Sequence, residues 1–415
     1  MARSTDSSQA RRFVNVYVLL PLHAGYFRDV LRGVLAYRLT RQRWRVFVGE
    51  PPPEAGRLRA FAAGADGLIA ALGNLAWEKA ASRLPVPAVN VANFCKEVRV
   101  PRVTCDDVAA GRLGAEHLLS RGFVHLGFAL KRGFHARQRR YGFEEAARRA
   151  GREVLRLVAG RYVDYDLRQS PPKSPRQVAY FRTFWWRADK ASLRDLPVPI
   201  GIMAEGDNSA GQFMESRRSE GLAVPQQVGI LGVSNDDLYC EVLQPQLTSV
   251  DVNGRRIGFE AAGLLDRLMA GGGRPRQPIL IPPRGVVVRE STDTVAVDDP
   301  ELAVAMRYIQ DHACGPIRLD EVAEHASLST RTLQRRLKEH FGRTAYQEIQ
   351  RQRFERAKQL LAETDLKVAD VARRTGYRHL RHFIGVFGRT VGMTPGRYRQ
   401  GARLRLASAP DMHER

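Results

Sequence analysis

LDEVAEHASLSTRTLQRRLKEHFG, residues 319–342, and VADVARRTGYRHLRHFIGVFGRTVG, residues 368–392, are two copies of one pattern. Before the turn the copies align at an offset of 49 residues, as for Ala323 and Ala372, and after it at 50, as for Leu337 and Phe387. One inserted residue separates the two registers. A single copy would also fit an ordinary helical bundle with a solvated, charged surface, but the duplication favours a repeated functional unit.

Each copy predicts a helix-turn-helix. In the first copy, a short helix with one apolar face is followed by Ser329, whose hydroxyl can cap the next helix by accepting a free backbone N–H. Leu333, Leu337 and Phe341 then recur every four residues, which places them on the buried face of that second helix. The second copy repeats this layout with two phenylalanines as anchors.

The outward faces of these helices carry side chains that can read DNA. Arg can pair with guanine O6 and N7, Gln can pair with adenine in the same two-pronged way, and Thr can contact a thymine methyl group. The predicted DNA contacts are Ser329, Thr330, Arg331, Gln334 and Arg335 in the first copy, and Arg378, His379, Arg381 and His382 in the second. For Arg335 and Arg381 a phosphate contact is the alternative to a base contact.

A longer amphipathic helix, predicted over Tyr346–Glu363, joins the two copies. A helix of this length can hold the two units about one DNA turn apart. We therefore expect one chain to grip two successive segments of the major groove.

Residues 301–400 resemble the C-terminal DNA-binding domain of AraC-type transcription regulators. The most specific stretch is GYRHLRHFIGVFGRTVGMTPGRYR, residues 376–399. The residues that match positions typical of that family are Gly376, Tyr377, Phe383, Phe387, Thr394, Pro395, Tyr398 and Arg399. The resemblance implies an all-α domain with two helix-turn-helix motifs, over residues 320–341 and 368–391.

Composition agrees with a polyanionic partner. The 415 residues include 66 Lys and Arg against 44 Asp and Glu, which gives a net charge of +22. The four cysteines, Cys95, Cys105, Cys240 and Cys314, lie far apart and predict reduced thiols in a cytoplasmic protein. No apolar run approaches the roughly 20 residues of a membrane span. We expect no cofactor and no metal.

The first 12 residues are polar and predicted to be disordered, and residues 13–294 alternate between β-branched runs and helical patterns. Such alternation predicts an α/β domain of parallel sheets covered by helices, and about ten strands favour two sheets. Predicted strands cover Val14–Leu20, Arg45–Val48, Gly67–Ala70, Val86–Val89, Val103–Cys105, Leu126–Leu130, Ile200–Ala204, Val228–Val233 and Val286–Val288. Predicted helices cover Arg28–Thr40, Arg57–Ala63, Val108–Arg121, Arg137–Ala150, Pro175–Ala191, Asn208–Ser219 and Arg255–Met269.

This half resembles the two-lobed, periplasmic-binding-protein-like sensor of LacI-type regulators. The likeness rests on TCDDVAAGRLGAEHLLSRGFVHLGF at 104–128, RRYGFEEA at 139–146 and VGILGVSNDDLYCEVLQPQLTSVDVN at 228–253. The resemblance implies a ligand-sensing domain over residues 13–294, with an effector held where the parallel strands end.

The resemblance also implies a set of ligand-binding positions in the cleft. They are Asp106, Asp107, Arg139, Asp207, Ser234 and Asn235. Two of the acidic positions usual in the family are Phe27 and Ser234 in this chain. Asp106 and Asp107 are equally suited to capping the helix that follows them. Sugar binding is therefore expected, but the sugar is not identified.

A sensor of this type joined to an AraC-type domain is the arrangement of xylose-operon regulators. It implies a cytoplasmic, homodimeric activator of genes for the use of a xylose-like sugar, which binds double-stranded DNA, a sugar effector and RNA polymerase. The alternatives are a carbohydrate-acting α/β enzyme with a DNA-binding tail and an architectural DNA-binding protein. Against the enzyme, no phosphate-binding, nucleophile-elbow or dinucleotide-binding glycine motif is present.

Overall fold

The structure is a computed structural model that describes residues 13–403 apart from 42, 131–132, 160–185, 189–195, 220, 295, 297–298 and 392. The strands are β1 Val14–Leu19, β2 Trp44–Gly49, β3 Gly67–Ala70, β4 Ala88–Asn90, β5 Val103–Cys105, β6 His125–Leu130, β7 Val154–Ala159, β8 Trp186–Ala188, β9 Ile200–Ala204, β10 Val228–Val233, β11 Thr248–Asp251, β12 Ile279–Ile281 and β13 Gly285–Val287.

Both halves of the chain contain helices. They are α1 Gly25–Leu39, α2 Leu58–Phe61, α3 Leu75–Ser82, α4 Asp107–Ser120, α5 Phe134–Arg149, α6 Asp207–Ser219, α7 Asp237–Val242, α8 Gly254–Met269, α9 Pro300–His312, α10 Leu319–His325, α11 Thr330–Phe341, α12 Ala345–Glu363, α13 Val368–Arg374, α14 Leu380–Val391 and α15 Pro395–Arg403. Short 3₁₀ turns cover Ala55–Arg57 and Glu290–Thr292. None of the described helices is both long and apolar enough to cross a membrane.

The α/β half consists of two lobes. The first lobe contains a parallel sheet in the order β2-β1-β3-β4 and the parallel pair β5 and β12, with α1 packed on α8. The second contains a sheet in the order β13-β11-β10-β9-β6-β7-β8, whose outer strands β8 and β13 are antiparallel. The chain passes between the lobes after β5, β11 and β12. The predicted α/β fold with two main sheets is confirmed, and β5 with β12 adds a small third one.

Strands β9 and β10 lie at the centre of the sheet of the second lobe because they carry apolar residues on both faces. Every residue of β9 and of β10 is buried, as expected for parallel strands covered by helices on both sides. Helix α4 packs closely on α5, since Gly111 has no side chain. A Cβ at Gly111 would lie 1.8 Å from the backbone oxygen of Arg139. This close packing places the start of α4 beside Arg139.

The C-terminal half is all-helical, as predicted, and has two separate apolar cores. The first core holds α9, α10 and α11 together, with Leu333 and Leu337 fully buried. The second is built on Phe383 and Phe387 of α14. Helix α12 contributes Ile349 to the first core and Phe354 to the second. We call α10 with α11 the first unit and α13 with α14 the second unit.

One predicted helix was wrong at its C-terminal end. The backbone of Trp186–Ala188 is strand β8, antiparallel to β7, although we predicted a helix over Pro175–Ala191. Pairing with β7 over-rides the helical periodicity of this stretch. The remainder of the predicted helix and the predicted disorder of residues 1–12 lie outside the described residues. The sequence also left α3, α7, β7, β11 and β12 unassigned.

Candidate nucleic-acid interface and effector cleft

The first unit presents its second helix, α11, at the surface. The side chain of Ser329 accepts a hydrogen bond from the backbone N–H of Thr332 at 3.1 Å and so caps α11, as the sequence predicted. The buried Leu333 and Leu337 fix the opposite face of the helix. The structure exposes the whole predicted set of Ser329, Thr330, Arg331, Gln334 and Arg335.

A shallow surface depression extends along α11. It is lined by Thr330, Arg331, Gln334, Arg335, Lys338 and Thr344. Both carboxylate oxygens of Glu339 accept hydrogen bonds from Arg335, each at 3.0 Å. Arg335 is therefore held along the helix, while Arg331 is exposed and has no hydrogen-bond or ion-pair partner among the described residues. This difference favours Arg331 for base contact and Arg335 for phosphate.

The second unit presents a different surface. Its helix α14 begins at Leu380, so Arg378 and His379 precede the helix, and Arg381 and His382 lie in its first turn. All four are exposed. The ring of His382 lies 5.9 Å from that of Tyr377 in an edge-on contact.

Two exposed apolar residues of α14 were missed by the sequence analysis. Leu380 is 40% exposed and Ile384 is 37% exposed. At the offset of 50 they occupy the positions of Thr330 and Gln334 in the first unit, so the register of the repeat could have identified them. Apolar side chains at these positions are suited to thymine methyl groups and not to hydrogen-bonded bases.

The predicted effector cleft lies between the lobes, and Arg139 and Asp107 are buried there as an ion pair. Arg139 Nε donates to Asp107 Oδ1 at 2.8 Å, and its Nη1 donates to the backbone oxygen of Glu205. The other carboxylate oxygen of Asp107 accepts from Asn93 Nδ2 at 2.8 Å. Asp106 instead caps α4 by accepting from the backbone N–H of Ala109 at 3.0 Å. Of the two adjacent carboxylates, only Asp107 bonds to Arg139.

Asp207, at the start of α6, is buried in the same cleft. It accepts hydrogen bonds from Ser249 Oγ at 2.5 Å and from the backbone N–H of Asp236 at 2.8 Å. Burial raises the pKa of Asp207 to about 6, despite those hydrogen bonds. The carboxyl group of Asp207 is therefore more than half protonated, and so mostly uncharged, below about pH 6.

Ser234 and Asn235 lie on the turn after β10 in positive-φ conformations, with φ of 119° and 51°. The side-chain oxygen of Asn235 accepts from Arg289 Nη2 at 3.0 Å. Phe27 is 5% exposed and packs into the apolar core. The structure therefore places Ser234 and Asn235 on the turn that leads to Asp236, and Phe27 offers no polar group to a ligand.

A carboxylate to which the sequence assigned no role, that of Asp236, connects the second lobe to the first. Asp236 accepts hydrogen bonds from Arg28 Nη2 at 2.5 Å and from the backbone N–H of Gly25 at 2.8 Å, both on α1 of the first lobe. The two partners are separated by 208 residues, so no local pattern indicated the pair. The related sensors usually have a carboxylate at the position of Ser234, and Asp236 lies two residues after that position.

The lobes also meet at the start of α5. The backbone N–H groups of Phe134 and His135 donate to the backbone oxygens of Phe94 and Asn93 at 3.0 and 2.9 Å. Nδ1 of His135 is buried and has no hydrogen-bond partner within the described part of the chain. His135 Nε2 lies 3.9 Å from a carboxylate oxygen of Glu205. His135 and Glu205 were also missed by the sequence analysis.

Replacing Asp207 with Asn should remove a pH-dependent contribution to stability. The folded pKa of about 6 lies above the ordinary 3.8, so ionisation of Asp207 destabilises the folded state as the pH rises through this window. The unfolding free energy of the natural protein minus that of Asp207→Asn should fall by up to about 3 kcal/mol between about pH 4 and about pH 7. Urea denaturation across that range measures it, and a constant difference would contradict the assignment.

Comparison with known proteins agrees with this two-part design. The model of the periplasmic binding protein-like domain matches residues 115–292, and that of the helix-turn-helix domain matches residues 322–401. The xylose operon regulatory protein of Escherichia coli is 29% identical over 394 residues, which cover 92% of this chain and 96% of that protein. Its namesake from Haemophilus influenzae is 34% identical over 207 residues, 50% of this chain and 54% of the relative.

The fold of this chain is also similar to a solved structure of the xylose-binding transcription activator xylR. It has a TM-score of 0.56 and 27% identity, and the match covers 94% of this chain and 98% of that one. The chain is therefore a DNA-binding transcription regulator and not an enzyme, similar along nearly its whole length to the xylose operon regulatory proteins, with a periplasmic-binding-protein-like domain followed by an AraC-type helix-turn-helix domain.

Proposed function

We propose that the chain is a transcription activator whose binding to DNA is controlled by a small sugar held between the two lobes. The main support for this proposal is the buried cluster of Asp107, Arg139 and Asp207 at the ends of the strands. Sugar hydroxyls both donate and accept, so they suit a site that offers carboxylate acceptors and a guanidinium donor. The unpartnered Nδ1 of His135 is a further polar group that such a ligand can satisfy.

A xylose-like sugar is the first candidate for the effector because the related regulators and the solved structure are named for xylose. The extra carboxylate of Asp236 supports a polyol, since it lies where the two lobes meet. Contacts between the lobes at both Asp236 and His135 favour a small effector.

Helix α4 offers a direct route from the cleft to the DNA-binding domain. Its N-terminus carries Asp106 and Asp107, and its C-terminus ends at Ser120. A helix of this length spans about 21 Å. Beyond its end, the backbone oxygen of Gly122 lies 3.1 Å from His340 Nε2 of α11. The same helix therefore begins at the proposed effector site, and the residues directly after its end contact the first unit.

The junction at the end of α4 is built on Glu348 of α12, which has no exposed surface. Its carboxylate accepts hydrogen bonds from Arg343, from Arg351 at 2.7 Å and from Gln352 at 2.9 Å. Burial tends to raise the pKa of Glu348, but the Arg351 and Arg343 guanidiniums outweigh it and hold that pKa below its usual range. Arg343 also donates to the backbone oxygen of Ser120 at 3.3 Å, which joins the two domains.

A second connection follows the segment between the domains. The backbone N–H of Ala296 donates to the backbone oxygen of Arg121 at 2.9 Å. On α4, His117 Nε2 lies 2.8 Å from Thr292 Oγ1, which in turn bonds to Thr248. Burial lowers the pKa of His117 to about 3, so this imidazole stays neutral. This segment, here called the linker, is therefore bound to α4 at Thr292 and to Arg121 at Ala296.

On DNA, each chain is proposed to place α11 and the start of α14 in successive major-groove segments. The exposed arginines of both units and the net charge of +22 support a strongly salt-dependent affinity. We further propose that the protein acts in the cytoplasm as a homodimer and contacts RNA polymerase. Support for activation comes from the related transcription activator.

Arg139→Ala should abolish the effector response while leaving DNA binding intact. Loss of one charge-assisted hydrogen bond costs about 1.5–3 kcal/mol, or roughly 10- to 150-fold in sugar affinity. Calorimetry with D-xylose and other aldopentoses and hexoses measures the affinity. Arg140→Ala, which changes the neighbouring and more exposed arginine of α5, is the matched control. Unchanged sugar affinity in Arg139→Ala would show that the cleft is misplaced.

Arg331→Ala should relax base preference in one part of the binding site. If Arg331 reads a base, its loss costs about 1–3 kcal/mol on the preferred sequence and broadens the choice at one or two base pairs. An arginine that binds only phosphate would weaken all sequences alike. Selection on randomised duplex DNA, with Arg335→Ala as the comparison, separates these outcomes. An unchanged selected sequence in Arg331→Ala would contradict the placement of α11 in the groove.

A further inference from the structure

Arg353 lies on α12 at the boundary between the two apolar cores. The first core ends with Ile349 and the second begins with Phe354, so no single core holds the two units in one orientation. Their relative placement therefore depends on α12 and on side chains that contact both the first core and the second unit.

Arg353 is one of those side chains. Its Nε donates to the backbone oxygen of Ala313 at 2.6 Å, and its Nη2 donates to that of Gly315 at 3.0 Å. Both oxygens follow the C-terminal end of α9, where unpaired carbonyls remain and a cation is favoured. The guanidinium thereby fixes α12 to the first core through two directed hydrogen bonds.

The same guanidinium lies against the turn of the second unit. A Cβ at Gly376 would be 2.7 Å from Arg353 Nε and 2.8 Å from its Cζ, so a side chain at 376 would displace the arginine. Gly376 also has a φ of 79°, a conformation that glycine adopts without strain. The turn of the second unit therefore has both the backbone shape and the space to receive Arg353.

The adjoining residue of the turn is packed equally tightly. Tyr377 is 4% exposed, and its hydroxyl has no hydrogen-bond partner among the residues described. Burial raises the pKa of Tyr377, while the nearby Arg353 opposes that rise. The turn of the second unit therefore contacts Arg353 through close packing, whereas backbone oxygens beside the first core bind the same side chain through hydrogen bonds.

We propose that Arg353 is a positioning residue that sets the spacing and the angle between the two DNA-binding units. The inference rests on the proposed grip of two major-groove segments by one chain. One extra base pair between the segments shifts the second by about 3.4 Å and rotates it by about 34°. A rigid pair of units rejects such a site, and a loosened pair tolerates it.

The test is selection from a duplex library with about 30 randomised base pairs, roughly three helical turns, using the full-length chain. The natural protein should enrich two sub-sites at one fixed spacing. Arg353→Gln should enrich the same two sub-sites over at least two spacings. In titrations, one inserted base pair should weaken binding about tenfold or more in the natural protein, but less than about threefold in Arg353→Gln.

Two further variants separate positioning from folding. Arg353→Lys keeps the charge and length but cannot donate in the same fork, so it should show the same loosened spacing. Lys358→Ala removes a half-buried cation that pairs with Glu355 on the same helix and contacts neither Arg353 nor the turn at Gly376, so it should keep the natural spacing. Thermal unfolding of each variant confirms that the comparison is made on folded protein.

The outcomes distinguish this inference from the proposed function. If the natural protein enriches a single sub-site, the two-segment grip and the role of Arg353 both fail. If both sub-sites remain at one spacing in Arg353→Gln and Arg353→Lys, the grip stands and the positioning role of Arg353 is wrong. A uniform loss of affinity at every spacing would likewise assign Arg353 to stability alone.

Discussion

The buried carboxylate of Glu348 is the centre of the junction that joins the two halves of this chain. It holds Arg343 in place, and Arg343 reaches across to the backbone oxygen of Ser120 at the end of α4. A buried charge cluster adds little net stability compared with apolar packing, but removing one partner leaves an uncompensated charge. Such a cluster is therefore better suited to fixing one arrangement of the domains than to strengthening the fold.

An effector can act through this junction only if it favours one arrangement of the lobes over another. The groups that would sense it, Asp107 and Arg139, lie at the first turn of α4 and beside it on α5. Because α4 is a packed helix, movement of its first turn is passed to its last turn instead of being absorbed. The fastening of the linker to Arg121 and His117 limits how far the DNA-binding domain can move independently.

Much of this organisation could be predicted from the sequence because it rests on local patterns. The bounds of β3, β5, β9 and β10 match the predicted strands, since each is a short apolar run buried in a parallel sheet. The α11 cap at Ser329 and the exposure of Arg331 follow from helical periodicity in the same way.

The features that escaped prediction depend on distant partners. Asp236 meets Arg28 across 208 residues, and β8 is a strand because β7 lies beside it. The role of Arg353 requires three backbone segments to converge, which periodicity on α12 alone does not show. Ile384 is a different case, because the register of the repeat aligns it with Gln334 and so indicates an exposed position, although it was not predicted.

Measurement of the linkage between sugar and DNA binding in Arg343→Met tests the central claim most directly. In the natural protein, saturating D-xylose or another sugar that binds should change the affinity for a selected DNA duplex by about 5- to 150-fold. In Arg343→Met we predict a ratio near one, with the sugar affinity and the DNA affinity of the sugar-free protein each kept within about threefold, a difference of less than 1 kcal/mol. Lys358→Ala should retain the natural ratio. An unchanged ratio in Arg343→Met would show that the signal does not pass through this junction.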